Sequence, residues 1–262
     1  MADTGTLVTY ELHGAVARIG LNRAAKRNAV SDAVIDALEA AAIRAGREAR
    51  AGVIFGHGPH FCAGLDLSEH SEKPLFEAVL GSRRWHEAFD RIERGTIPFV
   101  SAISGAAVGG GLELAASTHL RVADSTAFFA LPEGSRGIFV GGGGSVRIAR
   151  LIGPARMADM MLTGRVLDAE DMERWGGVTH VVPEGQALDH AMRLAERIAE
   201  NAQFTNYAII NALPRIADMS SEDGLFTESM VASLASMTED AQQRLRDFLE
   251  KRAARVKAPG DD

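Results

Sequence analysis

Between Gly105 and Gly153 this 262-residue chain carries 11 of its 27 glycines, among them the runs Gly109–Gly111 and Gly141–Gly144. A glycine removes the side chain from its position, so a run of them inside apolar sequence marks a place where backbone or ligand comes close. Glycine is about 10% of the chain, against roughly 7% in ordinary proteins. The surplus has no three-residue period and stands among apolar residues, which excludes collagen and a flexible linker.

The remaining composition is that of a soluble globular protein, 46% hydrophobic and 24% charged. A formal net charge of −7 disfavours a nucleic-acid partner held by a global basic surface, but leaves room for an anionic ligand on a local basic cluster. Cys62 is the single cysteine, so no intrachain disulfide and no cysteine-rich metal site is expected. Met1–Gly14 lacks the pattern of a signal peptide, and no run of about 18 apolar residues is present to span a bilayer. The expectation is a soluble, cytoplasmic protein with no membrane association.

Along the chain, Leu7–Leu12 and Ala15–Leu21 alternate around His13–Gly14 as a hairpin. Ser31 is placed to cap a helix that runs to about Ala49. Val53–Phe55 reads as a buried strand, and helical spacing runs from Pro74 to Arg94 through Leu75, Val79, Trp85 and Phe89. Pro98–Ser104 is a strand, Gly109–Ser117 a short helix, and Leu120–Val122 and Ala127–Leu131 further short strands. Strand pairs separated by helices predict a layered α/β (α+β) fold over residues 1–200. From 201 to 262 the segments Tyr207–Ala217, Leu225–Met237 and Ala241–Val256 predict a helical appendage.

Three segments could carry chemistry. In Ser101–Ala115 a strand feeds Gly109, Gly110 and Gly111, which open a helix with Glu113 in its first turn. The first N–H groups of a helix lack internal partners and lie at the positive end of its dipole, so they can hold a phosphate, a carboxylate or a developing oxyanion. The plainer alternative is a tight packing turn. In Phe61–Leu67, Ala63 and Gly64 expose backbone and Asp66 can tie the turn by bonding nearby N–H groups. Two such loops can each give one N–H to a single oxygen, although a simple surface loop explains the segment as well. In Ala130–Glu133 a carboxylate stands among apolar residues, where it is costly unless paired or protonated. Glu133 is therefore a candidate acid or base, or else a partly exposed carboxylate at a turn.

Other chemistries find little support. The chain has no phosphate-binding Gly-x-x-x-x-Gly-Lys loop, no complete dinucleotide fingerprint and no Gly-x-Ser-x-Gly elbow. His57 and His60 suggest no further ligand for a metal, and no metal is expected. Cys62, between Phe61 and Ala63, reads as a buried small hydrophobe.

Together these segments resemble the crotonase superfamily, the enoyl-CoA hydratase/isomerase family, and specifically its hydratase branch. The resemblance extends over nearly the whole chain through Asn22–Ala29, Phe61–Glu69, Ile103–Ala115, Leu131–Gly153 and Phe248–Lys251. It implies a spiral of β-β-α units followed by a C-terminal helical trimerisation region, in a homotrimer or a homohexamer. It implies an oxyanion hole from the N–H groups of Ala63 and Gly110. It also implies two catalytic glutamates, Glu113 for the attacking water and Glu133 for the Cα proton. The substrate would be a short 2-enoyl-CoA of acyl-CoA metabolism, with coenzyme A as part of the substrate and no separate cofactor. Coenzyme A would be held by Lys26, Arg27, Ala63, Asp66, Leu67, Phe248 and Lys251; a solvated basic helix end is the alternative for the last of these.

One block departs from the family pattern. Hydratases commonly carry Pro-Gly-x-Gly-Gly-Thr-Gln-Arg where this chain has Val140–Arg147, with Val140, Ser145 and Val146 in place of Pro, Thr and Gln. The variant block resembles that of methylthioacryloyl-CoA hydratases. Two other functions stay open on sequence, an isomerase of the same fold and a non-catalytic acyl-CoA-binding protein.

Overall fold

The hairpin forms where alternation placed it. In the computed structural model, which describes residues 6–67 and 74–250, β1 (Val8–His13) pairs antiparallel with β2 (Val16–Leu21), from Val8 opposite Leu21 to His13 opposite Val16. Ser31 occupies the position before α1 (Asp32–Glu48), yet makes no side-chain capping bond. The chain then runs through β3 (Ala51–Gly56), α2 (Leu75–Glu93), β4 (Phe99–Ile103), β5 (Ala106–Val108), α3 (Gly110–Ser117), β6 (Leu120–Asp124) and β7 (Phe128–Ala130). After these come α4 (Gly144–Ile152), α5 (Pro154–Thr163), β8 (Leu167–Asp168), α6 (Ala169–Arg174), β9 (His180–Val182) and α7 (Ala187–Ala199).

Six strands form one sheet in the order β1-β2-β3-β4-β6-β9, parallel except for the hairpin. A second sheet, β5-β7-β8, lies one step further along each turn of chain. Successive turns repeat a plan: β4, then β5, then α3; β6, then β7, then α4. The preceding turn follows it with a single bridge, Cys62 to Ala107, in place of the short second strand. This is the spiral of β-β-α units.

The large sheet is covered on both faces, so its central strands are apolar on both. Ile54 and Ile103 belong to a core shared with α1, α2 and α3. Val53, Phe55, Val100 and Ala102 face the other way, onto α7. That helix presents Ala187, Ala191, Ala195 and Ala199 at four-residue spacing, and side chains this small let it lie close on the sheet. In α2, only Trp85, Ala88, Phe89 and Ile92 are buried, whereas Leu75, Phe76, Val79 and Leu80 are exposed.

The chain divides into two compact units, Met1–Glu200 and Asn201–Asp262. The second is helical: α8 (Gln203–Asn211), α9 (Leu213–Ile216), α10 (Ser221–Ser236) and α11 (Glu239–Leu249). The continuous helix expected over Tyr207–Ala217 is two helices, because Pro214 has no N–H to continue the ladder. Among the described residues no helix is long and apolar enough to cross a membrane.

Candidate active site

The site begins where β5 turns into α3. Gly109 makes the turn with φ +53°, a backbone conformation that disfavours side chains, and its N–H donates to the Ala130 carbonyl at 2.9 Å. A methyl group here would also stand 2.7 Å from Glu133 Oε1. The Gly110 N–H follows at the start of the helix, among the groups with no intrahelical acceptor. All eight residues of α3 are buried, so Glu113 in its first turn is a carboxylate taken out of water.

Glu113 is received by the second glycine run. Its Oε1 accepts the N–H groups of Gly142 and Gly144, each at 2.8 Å. The run has no side chains to block this approach, and its own carbonyls are held from behind. Ser82 Oγ donates to the Gly141 carbonyl at 2.6 Å, and Arg147 Nη1 to the Gly142 carbonyl at 2.9 Å. Arg147, itself buried, is fixed to α2 through Glu93 Oε2 at 2.7 Å and Asp90 Oδ1 at 2.5 Å. Burial raises the pKa of Glu113 above the ordinary carboxylate value, while the N–H groups of Gly144, Gly142 and Gly141 and the charge of Arg147 oppose the shift.

Glu133 stands just beyond β7 and is 6% exposed. Its Oε2 has no hydrogen-bond partner among the described residues. Burial raises its pKa and the charge of Glu113 adds to the rise, against its own backbone N–H and Arg136. One carboxylate oxygen therefore holds two donors, and across the site another holds none.

The loop Phe61–Leu67 requires a correction. The Ala63 N–H is turned inward and donates to the Arg27 carbonyl at 2.9 Å, so it is not presented to a ligand. Just beyond it, the Val30 N–H bonds the Gly64 carbonyl at 2.7 Å and the Asp66 N–H bonds the Val30 carbonyl at 2.9 Å. In a parallel bridge of this kind the intervening residue points its N–H away from the partner strand. That residue is Leu65, whose N–H has no recorded acceptor among the described residues. It adjoins α3, because a methyl group on Gly64 would lie 3.3 Å from the Gly110 nitrogen. Sequence alone could not select Leu65, since the direction of its N–H is set by pairing with a residue 35 positions earlier (65 − 30).

The Asp66 N–H donates to the Val30 carbonyl, and its buried carboxylate pairs with Arg23 at 3.0 Å and Lys26 at 2.8 Å. Lys26, Arg27 and Leu67 are exposed beside this pair. Phe248 is exposed on α11 of the second unit, and Lys251 lies outside the described residues. His57 Nε2 meets Thr9 Oγ1 at 2.8 Å and His60 Nδ1 accepts the Ala106 N–H at 3.2 Å, so each ring is engaged separately. The Cys62 thiol is buried, and burial pushes its pKa up to about 12.

Comparisons with known proteins show the family. The sequence profile of the enoyl-CoA hydratase/isomerase family matches residues 11–258. Enoyl-CoA hydratase EchA19 of Mycobacterium tuberculosis (strain ATCC 25618 / H37Rv) is 30% identical over 256 residues, covering 96% of each chain. The 2,3-dehydroadipyl-CoA hydratase of Escherichia coli (strain K12) is 33% identical over 236 residues, covering 88% of this chain and 91% of its own. Among solved structures, a provisionally assigned enoyl-CoA hydratase from Rhodopseudomonas palustris CGA009 superposes with a TM-score of 0.92 at 48% identity, covering 94% of this chain and 95% of the other.

Proposed function

Because the chain belongs to the enoyl-CoA hydratase/isomerase family, we propose that it adds water across the 2,3 double bond of a 2-enoyl-CoA thioester. The asymmetry of the two buried glutamates carries this reading. Hydration needs one group that takes a proton from water and another that gives one to carbon. Glu113, with two N–H groups on Oε1, is favoured as the carboxylate. Glu133, buried and with Oε2 unpartnered, is favoured as the acid.

The reaction then runs as follows. The thioester carbonyl accepts hydrogen bonds from the N–H groups of Leu65 and Gly110, Leu65 replacing Ala63 in the expected pair. Glu113 takes a proton from a water molecule as its oxygen bonds to Cβ. The π electrons of the double bond move toward the carbonyl, whose growing negative charge the two donors stabilise. One such donor is typically worth about 2.7–4 kcal/mol in the transition state. Glu133 delivers its proton to Cα, the carbonyl re-forms, and the product is a 3-hydroxyacyl thioester. The two carboxyl groups return to their starting states by exchanging protons with solvent, and no other cofactor is required.

The same reading assigns the phosphates of coenzyme A to Lys26 and Arg27, with Asp66 anchoring Lys26 and Leu67 lining the site. Phe248 and Lys251 are the corresponding contacts proposed in the second unit. That unit exposes Leu225, Phe226, Met230 and Leu234 along α10 and Met237 just past its end, an amount of apolar surface that favours a trimerisation role. A homotrimer or homohexamer in the cytoplasm is the proposed state.

The test is the loss of thioester-enone absorbance with crotonyl-CoA and with methylthioacryloyl-CoA, the substrate that the Val140–Arg147 block suggests. Water-dependent loss is expected. Migration of the double bond without hydration would select an isomerase, and coenzyme A binding without turnover of any enoyl thioester would leave a binding protein.

A further inference from the structure

We propose that the indole of Trp85 closes the acyl end of the site, so that the protein takes short 2-enoyl thioesters and excludes long ones. The proposal rests on the hydratase reading for its chemistry and on the packing of α2 for its geometry.

One edge of the benzo ring faces both glycine runs. A methyl group on Gly110 would sit 2.8 Å from Trp85 Cζ3 and 3.2 Å from Cη2, and one on Gly142 would sit 3.2 Å from Cε3. The position beside Gly142 is also 3.2 Å from Glu113 Oε2 and 3.0 Å from Phe89 Cε2. The ring edge thus runs from Gly110, whose N–H is assigned to the thioester oxygen, to the carboxylate that activates water. The attacked carbon, Cβ, must lie within one water of Glu113, and the rest of the acyl chain leaves from Cβ. Carbons beyond it therefore meet the indole.

The wall is also stiff. Phe89 meets Trp85 edge-on, with ring centroids 5.8 Å apart and planes at 70°. Trp85 is 8% exposed, and Ala88, Phe89 and Ile92 fix its helix in the core. A side chain packed in this way swings aside only by opening a void. The glycines opposite contribute no side chains, so the indole rather than the loop sets the depth.

The experiment compares kcat/KM of the wild type, Trp85→Leu and Trp85→Ala for crotonyl-CoA, 2-hexenoyl-CoA, 2-octenoyl-CoA and 2-decenoyl-CoA. Binding of butyryl-CoA and octanoyl-CoA is measured at equilibrium on the same proteins. The wild type is expected to lose at least about tenfold in kcat/KM from crotonyl-CoA to 2-octenoyl-CoA, since a single misfit methylene costs about tenfold or more. Both variants should raise the long-to-short ratio at least about tenfold, in turnover and in binding. Equal handling of long and short thioesters by the wild type overturns the proposal, and this measurement needs no variant to fold. An unchanged ratio in a folded variant overturns it too. If no thioester is hydrated, the hydratase reading falls by itself and the binding ratios still decide the role of Trp85.

Discussion

A buried carboxyl group keeps or loses its proton according to what donates to it, and Glu113 and Glu133 are supplied unequally. Replacing either with Ala should lower turnover at least about a hundredfold, the usual scale of acid–base catalysis. Near-normal rates in both variants would remove the two-glutamate mechanism. Glu133 also carries a stability consequence. Its pKa is raised by burial and by Glu113, so between its ordinary and its raised value the folded protein binds more protons than the unfolded chain. Its contribution to stability is then lost as pH rises through that window. Glu133→Gln should flatten the fall of Tm with pH and raise Tm above the window. Some slope will remain, because Glu113 is shifted in the same direction; an unchanged slope would mean that Glu133 is well solvated. At Gly109 an alanine would face both the positive φ and Glu133 Oε1 at 2.7 Å. The expected cost is about 1–3 kcal/mol of stability, measurable by denaturant titration, together with a loss of turnover. Both glutamates could be located from their neighbours in sequence. Their unequal partners could not, because Gly142 and Gly144 are 29 and 31 residues from Glu113.

At the scale of elements, one face of α2 organises the second glycine run. Ser82, Asp90 and Glu93 hold Gly141 and Arg147 while Trp85 and Phe89 fill the space beside Gly142. Arg147 thereby positions the N–H groups on Glu113 without touching the reacting atoms. Arg147→Met should lower kcat and move the acid limb of its pH profile upward, since both the donors and the positive charge act to lower the pKa of Glu113. Arg147→Lys should return the charge but only part of the geometry, and so recover the limb more than the rate. A folded Arg147→Met protein with an unmoved acid limb would confine Arg147 to packing. The helical spacing of α2 is plain in the sequence, but the apolar residues of its first half face solvent. Spacing identifies a stripe; what covers the stripe depends on the rest of the chain. Helix α7 is not among the segments read from the sequence, although its alanine face at four-residue spacing stands opposite a charged one.

For the whole molecule, the exposed apolar side chains of α10 predict self-association. Light scattering or sedimentation should show a trimer or hexamer at micromolar concentration, and replacing Phe226 and Met230 with Glu should shift it toward smaller species. A wild-type monomer would overturn the trimerisation role. The strand pairs separated by helices, the two glycine runs and the two carboxylates are legible along the chain, because they are local patterns of spacing and side-chain volume. Which N–H groups are engaged and which are turned away from a partner depends instead on contacts made in the folded chain. Arg27 occupies the N–H of Ala63 and Val30 turns that of Leu65 away from itself. A hydrogen bond has one direction, and that direction is fixed by a partner brought close in space, whatever its distance along the chain.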